Sequence, residues 1–291
     1  MMKEIKRIVQ INRGNLFIKL EGGCSFHLPY SSIGENDNPT IVISPGASGS
    51  GAIPFQNTFE HLEQDYRLLV LDVPPLPTDK VKPSAELGVK ILEEFAKRLE
   101  GQFSLLGYSA GGISAVKFCL RHPEKVNKLV LVASAGLGKD ICRDMRLLSL
   151  PIIGEMLARL RIKPTEKSVQ KSLKKLFHNP DKIRVDLALD ILAQRTDWGF
   201  KDWRSWYLQF LRAGVNFWGQ KIVLKDELQA LSEKIPILIV WGKHDRVLSY
   251  RQMIMAKVAC NKIKIKEMED CGHWPQMEQP EEFCRIVADF L

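Results

Sequence analysis

The apolar run Gln102-Phe-Ser-Leu-Leu106 is followed directly by Gly107-Tyr-Ser-Ala-Gly-Gly112, and no other stretch limits the fold as much. A strand that ends in Gly-x-Ser-x-Gly and passes at once into a helix must turn tightly. Gly107 and Gly111, on either side of Ser109, lack the side chains that would clash there. The turn leaves the Ser109 hydroxyl at its tip. The first amides of the helix, above all Ala110 N–H, then point at whatever that hydroxyl attacks.

Two later segments complete a constellation. Ile237-Leu-Ile-Val-Trp-Gly-Lys-His-Asp245 is a buried-strand pattern running into a loop with an acid. Glu267-Met-Glu-Asp-Cys-Gly-His273 is a strand end followed by a loop with a histidine. The order Ser109, Asp245, His273 is one of the chain orders in which nucleophile, acid and base form a triad. A serine hydroxyl is a weak nucleophile at neutral pH and needs a base within reach. His273 is the expected base, and Asp245 the group that would fix its tautomer. No paired-carboxylate or metal-ligand spacing appears, so no metal and no cofactor are expected. Gly46-Ala-Ser-Gly-Ser-Gly51 lacks the Gly-Lys-Ser/Thr ending of a phosphate loop. His27, His61, His122, His178 and His244 lack a triad context, and Cys271 is expected to be structural.

Hydrophobic period organises the rest. Residues 5–12 and 15–28 alternate like an antiparallel hairpin with a turn at Asn12-Arg-Gly-Asn15. Strand patterns near 40–44, 67–72, 103–107, 128–133, 236–241 and 262–268 alternate with helix patterns near 54–63, 84–100, 110–121, 248–259 and 280–290. This alternation predicts an α/β fold with a mostly parallel sheet covered on both faces. Its active site would lie at the carboxyl ends of the strands. The helical stretch 137–230 is too long for a connection and reads as a small domain of its own. The core domain is then 1–136 with 231–291.

These segments resemble the α/β-hydrolase superfamily, in particular its cap-bearing group of carboxylesterases, carbon–carbon bond hydrolases and haloperoxidases. Ile41-Val-Ile-Ser-Pro-Gly-Ala47 is similar to the family's third strand and oxyanion loop, and Cys271-Gly-His-Trp-Pro-Gln-Met-Glu-Gln-Pro-Glu-Glu-Phe283 to its histidine loop. The resemblance implies an eight-stranded sheet with a helical cap inserted after strand six. It implies Ala110 and Ala47 as oxyanion donors, with Ser48 N–H as the substitute for Ala47. It also makes Asp140 an alternative acid, because some relatives take it from after strand six. Relatives usually carry His-Gly where this chain has Pro45-Gly46, so the histidine that braces the loop is missing. Asp72-Val-Pro-Pro-Leu-Pro77 replaces a glycine-bearing turn with a stiff one. Haloalkane dehalogenases and epoxide hydrolases have aspartate at the elbow, and Ser109 argues against both.

The insertion carries two marks. Trp203, Trp206, Tyr207 and Phe210 fall at helical spacing on one face, to pack the cap or to line a pocket for bulky apolar groups. With Tyr108, Ser48 and Trp274 beside the triad, Trp203 and Trp206 are the expected substrate-pocket residues. The second mark is charge: residues 137–229 hold 18 Lys and Arg against 11 Asp and Glu, which accounts for nearly all of the chain's net charge of +8. A solvated basic face is the expectation; an anionic substrate or an acidic membrane surface is the alternative.

At 291 residues the chain can bury a large core. The start Met-Met-Lys-Glu-Ile-Lys-Arg has no apolar signal core, and no apolar run reaches the roughly 18 residues of a membrane span. A cytoplasmic protein with reduced thiols at Cys24, Cys119, Cys142, Cys260, Cys271 and Cys284 is expected. The expected partner is a small apolar ester or related carbonyl compound, with no nucleic acid and no membrane contact. The favoured activity is hydrolysis of a carboxylic ester, thioester or lactone through an acyl-enzyme on Ser109. A carbon–carbon bond hydrolase or perhydrolase on the same triad, and a ligand-binding protein that kept the shell, are the alternatives.

Overall fold

The computed structural model describes residues 9–20, 25–77 and 80–291. In chain order the strands are Ile11–Lys19 (β1), Ser25–Ile33 (β2), Thr40–Ser44 (β3), Arg67–Leu71 (β4), Phe103–Tyr108 (β5), Val126–Val132 (β6), the short pair Val215–Asn216 (β7) and Gly219–Gln220 (β8), Ile237–Gly242 (β9) and Lys264–Met268 (β10). The first helices are Ala52–Phe55 (α1), Phe59–Leu62 (α2), Ala85–Ala96 (α3) and Gly111–Arg121 (α4). Between β6 and β9 lie Arg143–Leu148 (α5), Pro151–Arg161 (α6), Glu166–Leu176 (α7), Leu187–Asp197 (α8), Phe200–Gly214 (α9) and Lys225–Ser232 (α10). Arg251–Ala259 (α11), Pro275–Glu278 (α12) and Pro280–Ala288 (α13) close the chain.

Eight strands form one sheet in the order β1-β2-β4-β3-β5-β6-β9-β10. β2 is antiparallel to β1 and β4, and every other pairing in the sheet is parallel. The inner strands are apolar on both faces, as a sheet covered twice requires. Val42, Leu69, Leu105, Leu129 and Ile239 belong to one buried cluster with α3, α4 and α11. Ile43, Val70, Leu106, Val130 and Leu238 belong to the other, with Phe55, Phe59 and Phe283. Ser109, Asp245 and His273 follow the carboxyl ends of β5, β9 and β10, where parallel sheets gather their functional loops.

Two local expectations change. β1 runs straight through Asn12-Arg-Gly-Asn15, pairing from Ile11 opposite Ile33 to Lys19 opposite Ser25, so the reversal comes after Lys19. Leu16 and Ile18 point into the core, and that alternation outweighs the turn-like composition. Gly14 serves a close approach instead: a Cβ there would stand 2.4 Å from the Tyr30 ring. The helix pattern at 54–63 breaks into α1, a 3₁₀ turn at Gln56–Thr58 and α2. Thr58 Oγ1 donates to Phe55 O at 2.7 Å, a local bond that competes with the helix ladder.

The insertion after β6 is mostly helical, but its pattern hides the short antiparallel pair of β7 and β8. α10 packs back on α4 and α11, and residues 230/231 fall inside this helix. Among the described residues no helix is long and apolar enough to cross a membrane.

Candidate active site

Ser109 sits at φ +50°, a left-handed conformation that costs a non-glycine residue energy and recurs at functional turns. The elbow is pinned on three sides. Ser109 N–H donates to Val132 O of β6 at 2.9 Å, and Ser109 O accepts from Gly112 N–H and Ala135 N–H at 3.1 and 2.9 Å. A side chain at Gly111 would collide with Pro45 O at 2.4 Å, so glycine there lets the β3 loop lie against the elbow.

His273 Nε2 lies 3.1 Å from Ser109 Oγ, and His273 Nδ1 lies 2.7 Å from Asp245 Oδ2. Both His273 and the Asp245 carboxylate are buried. Asp245 Oδ1 accepts from the Val247 and Leu248 amides at 2.7 and 3.0 Å, and Oδ2 also accepts from Trp241 Nε1 at 3.0 Å. The carboxylate is thus fixed in its plane. An acceptor-only carboxylate at Nδ1 assigns the ring proton to that nitrogen and leaves the Nε2 lone pair toward the serine. Asp140 does not compete: the residue is exposed, and Asp245 Oδ2 is the carboxylate partner of His273 Nδ1.

The histidine loop is anchored from the insertion. His273 N–H donates to Leu176 O, the last residue of α7, at 2.7 Å. The buried Glu278 takes the Gly272 amide on Oε1 at 2.6 Å and the His178 and Asn179 amides on Oε2 at 2.8 and 3.1 Å. Burial pushes the Glu278 carboxyl up, against the pull of these amides. None of these contacts is visible in residue patterns, because the partners of Glu278 are backbone groups.

The 45–52 loop has braces of its own. Asp72 Oδ1 accepts from the Gly51 and Ala52 amides at 2.8 and 3.3 Å, and burial pushes this carboxyl up as well. Trp203 Nε1, from α9, donates to Ser48 O at 3.0 Å. Among the described residues, neither the Ala47 nor the Ala110 amide donates a hydrogen bond to another protein group. Both line a cavity of about 60 Å³, together with Gly46, Leu87, Trp206 and Phe210. Neither Ser109 nor His273 is among its lining residues, so it lies beside the triad, behind the 45–52 loop and the elbow.

Of the expected pocket residues, Trp206 lines this cavity, whereas Trp203 props the loop through Ser48. Tyr108 and Trp274 are buried beneath the histidine. The Tyr108 ring lies 5.5 Å from His273, and loss of solvent holds its phenol well above the usual range. Burial likewise pushes the Cys271 thiol up to about 12, so it stays protonated. Phe210, on the aromatic face of α9, lines the cavity as well, whereas Leu87 and Arg195 carry no mark in the sequence. The Arg195 guanidinium stacks 4.0 Å over the Trp203 ring, and desolvation lowers its pKa to about 10. Among the described residues it has no carboxylate partner.

His178, His244 and Asp270 bring possible metal-ligand atoms within 4.8 Å of one another. The two rings are stacked, however, at 4.0 Å and 17°. Their in-plane lone pairs run side by side instead of converging, so the group acts as a contact between insertion and core.

The sequence profile of the alpha/beta hydrolase fold family matches residues 39–280. The chain belongs to that family. An uncharacterised protein of Mycobacterium tuberculosis is 32% identical over 195 residues, which is 65% of this chain and 55% of that protein. This α/β-hydrolase is also 28% identical to the 2-hydroxy-6-oxononadienedioate/2-hydroxy-6-oxononatrienedioate hydrolase of Escherichia coli K12, over 93% of both chains. Its fold matches the 2-hydroxy-6-oxo-6-phenylhexa-2,4-dienoate hydrolase of Rhodococcus sp. strain RHA1 with a TM-score of 0.74 at 15% identity, covering 97% of this chain and 99% of the other.

Proposed function

We propose that this α/β-hydrolase cleaves a carboxylic ester through an acyl-enzyme on Ser109. The Ser109–His273–Asp245 hydrogen-bond chain carries the reading. Ser109 Oγ attacks the carbonyl carbon while its proton passes to His273 Nε2. The carbonyl oxygen takes up the negative charge, and the free Ala110 and Ala47 amides are its donors. Collapse of the intermediate breaks the bond to the leaving oxygen, which receives the proton from His273. Water, deprotonated by His273, then releases the acid and restores Ser109.

The test is turnover of p-nitrophenyl esters from acetate to decanoate. A serine-dependent rate with a chain-length optimum is expected, and that optimum sizes the acyl site. Ser109→Ala should lose roughly 10⁴-fold or more in kcat with the fold intact. Residual turnover near wild type in that variant would remove Ser109 from the chemistry.

A second reading is cleavage of a carbon–carbon bond next to a ketone on the same three residues. The Escherichia coli relative favours it, and so does Arg195, an unpaired cation suited to a substrate carboxylate. Arg195→Met should keep or raise the melting temperature, since it removes a desolvated charge, and should raise KM for a carboxylate-bearing dienoate but not for p-nitrophenyl acetate.

A further inference from the structure

Helix α6 is packed the wrong way round for a helix of a closed globule. Its inward face is Gly154 and Ala158, both buried. The approach is close: a Cβ at Gly154 would stand 2.1 Å from Leu148 O. Leu157 packs partly buried against the core, but three large apolar residues face outward at i, i+4 and i+8, with Ile152 84%, Met156 56% and Leu160 62% exposed. Such a ridge is the narrow apolar stripe of a helix that covers something else. Nearby, the turn between β7 and β8 exposes Trp218 at 79%. That hairpin follows the end of α9, whose Arg212 donates to Pro151 O at 3.0 Å and pairs with Glu155 at 3.1 Å.

One end of the ridge is basic. Residues 139–175 contain ten Lys and Arg against four Asp and Glu. Ser168 joins the start of α7 to the end of α6, accepting from Lys163 N–H and donating to Arg161 O. Arg159, Lys163, Lys167, Lys171 and Lys174 are exposed there, and among the described residues none has a carboxylate partner. An apolar ridge with an exposed indole, rimmed by unpaired cations, matches the chemistry of a bilayer interface. Apolar side chains enter the acyl boundary there, tryptophan sits at headgroup level and Lys/Arg meet lipid phosphates. A second copy of this chain is a poor occupant, because two such basic faces repel.

We propose that the α6–α7 face of the insertion docks on an anionic membrane surface, against the expectation from sequence. The test is co-sedimentation with vesicles of phosphatidylcholine alone and with added phosphatidylglycerol, at low and raised salt. The protein should pellet with the anionic vesicles and be released by salt. The combined variant Ile152→Ser, Met156→Ser, Leu160→Ser should weaken this by at least about tenfold. Lys167→Glu with Lys171→Glu should weaken it by roughly fivefold or more per charge. Melting temperature and turnover of a soluble ester should stay at wild-type values in both. Wild-type protein that remains in the supernatant with anionic vesicles overturns the proposal. So does a serine variant that pellets like wild type, or a wild-type dimer that this variant turns into a monomer. Should the serine variant not fold, Trp218→Phe decides: it must abolish a blue shift of emission on adding anionic vesicles, and the absence of such a shift in wild type refutes the docking.

Discussion

The inward and outward faces of the insertion are built on different principles. Inward, single polar contacts reach specific atoms of the two loops beside Ser109. Leu176 O holds the His273 amide, Glu278 ties residues 178 and 179 to Gly272, and Trp203 holds Ser48. Outward, the helices meet solvent with ion pairs and exposed apolar side chains. The difference teaches that the insertion is part of the scaffold of the histidine loop. Loss of an inward contact leaves a buried partner unsatisfied, whereas loss of an outward one exposes it to water.

Three changes would sharpen or break this contrast. The largest effect is expected from Glu278→Ala, which strands three amides. It should cost about 3 kcal/mol of stability and lower kcat far more than it raises KM, because His273 loses its anchor. Chemical denaturation with steady-state kinetics would check both, and an unchanged kcat would separate the histidine loop from the insertion. Trp203→Phe comes next. It keeps the ring beneath Arg195 but removes the hydrogen bond to Ser48, so about 1 kcal/mol of stability and a several-fold loss in kcat are expected, with Ser109 labelling by a fluorophosphonate slowed in proportion. The smallest effect belongs to Asp144→Asn on the outer side. Lys175 and Arg161 hold the Asp144 carboxyl below its ordinary range. Its stabilising contribution is therefore present above the unfolded pKa and lost as pH falls through the lower folded one. For so exposed a pair it should stay below about 1 kcal/mol, visible only as a slightly smaller loss of melting temperature on acidification, and a larger shift would place the outer face among the structural contacts.

Legibility in the sequence follows the same division. The strands that carry Ser109, Asp245 and His273 are strongly periodic or wholly apolar, and their loops have distinctive residues, so these positions were found from pattern alone. The turn-like composition at 12–15 does not make a turn because Gly14 answers to Tyr30, a contact across strands that composition does not encode. Arg195 went unnoticed among 42 Lys and Arg, since only its stacking on Trp203 sets it apart. Glu278 looked like an ordinary helix residue, and the atoms it binds belong to every amino acid but proline.

That last point bears on how such an enzyme can diverge. Leu176 O, His178 N–H and Asn179 N–H are main-chain groups. Substitutions at these three positions, proline apart, leave the donors and the acceptor where they are. A deletion or insertion of one residue between Leu176 and His178 shifts the two amides out of register with the carbonyl, so that Glu278 and His273 cannot both keep their partners. For these three backbone contacts the length of the segment therefore constrains descendants of this chain more than its letters do.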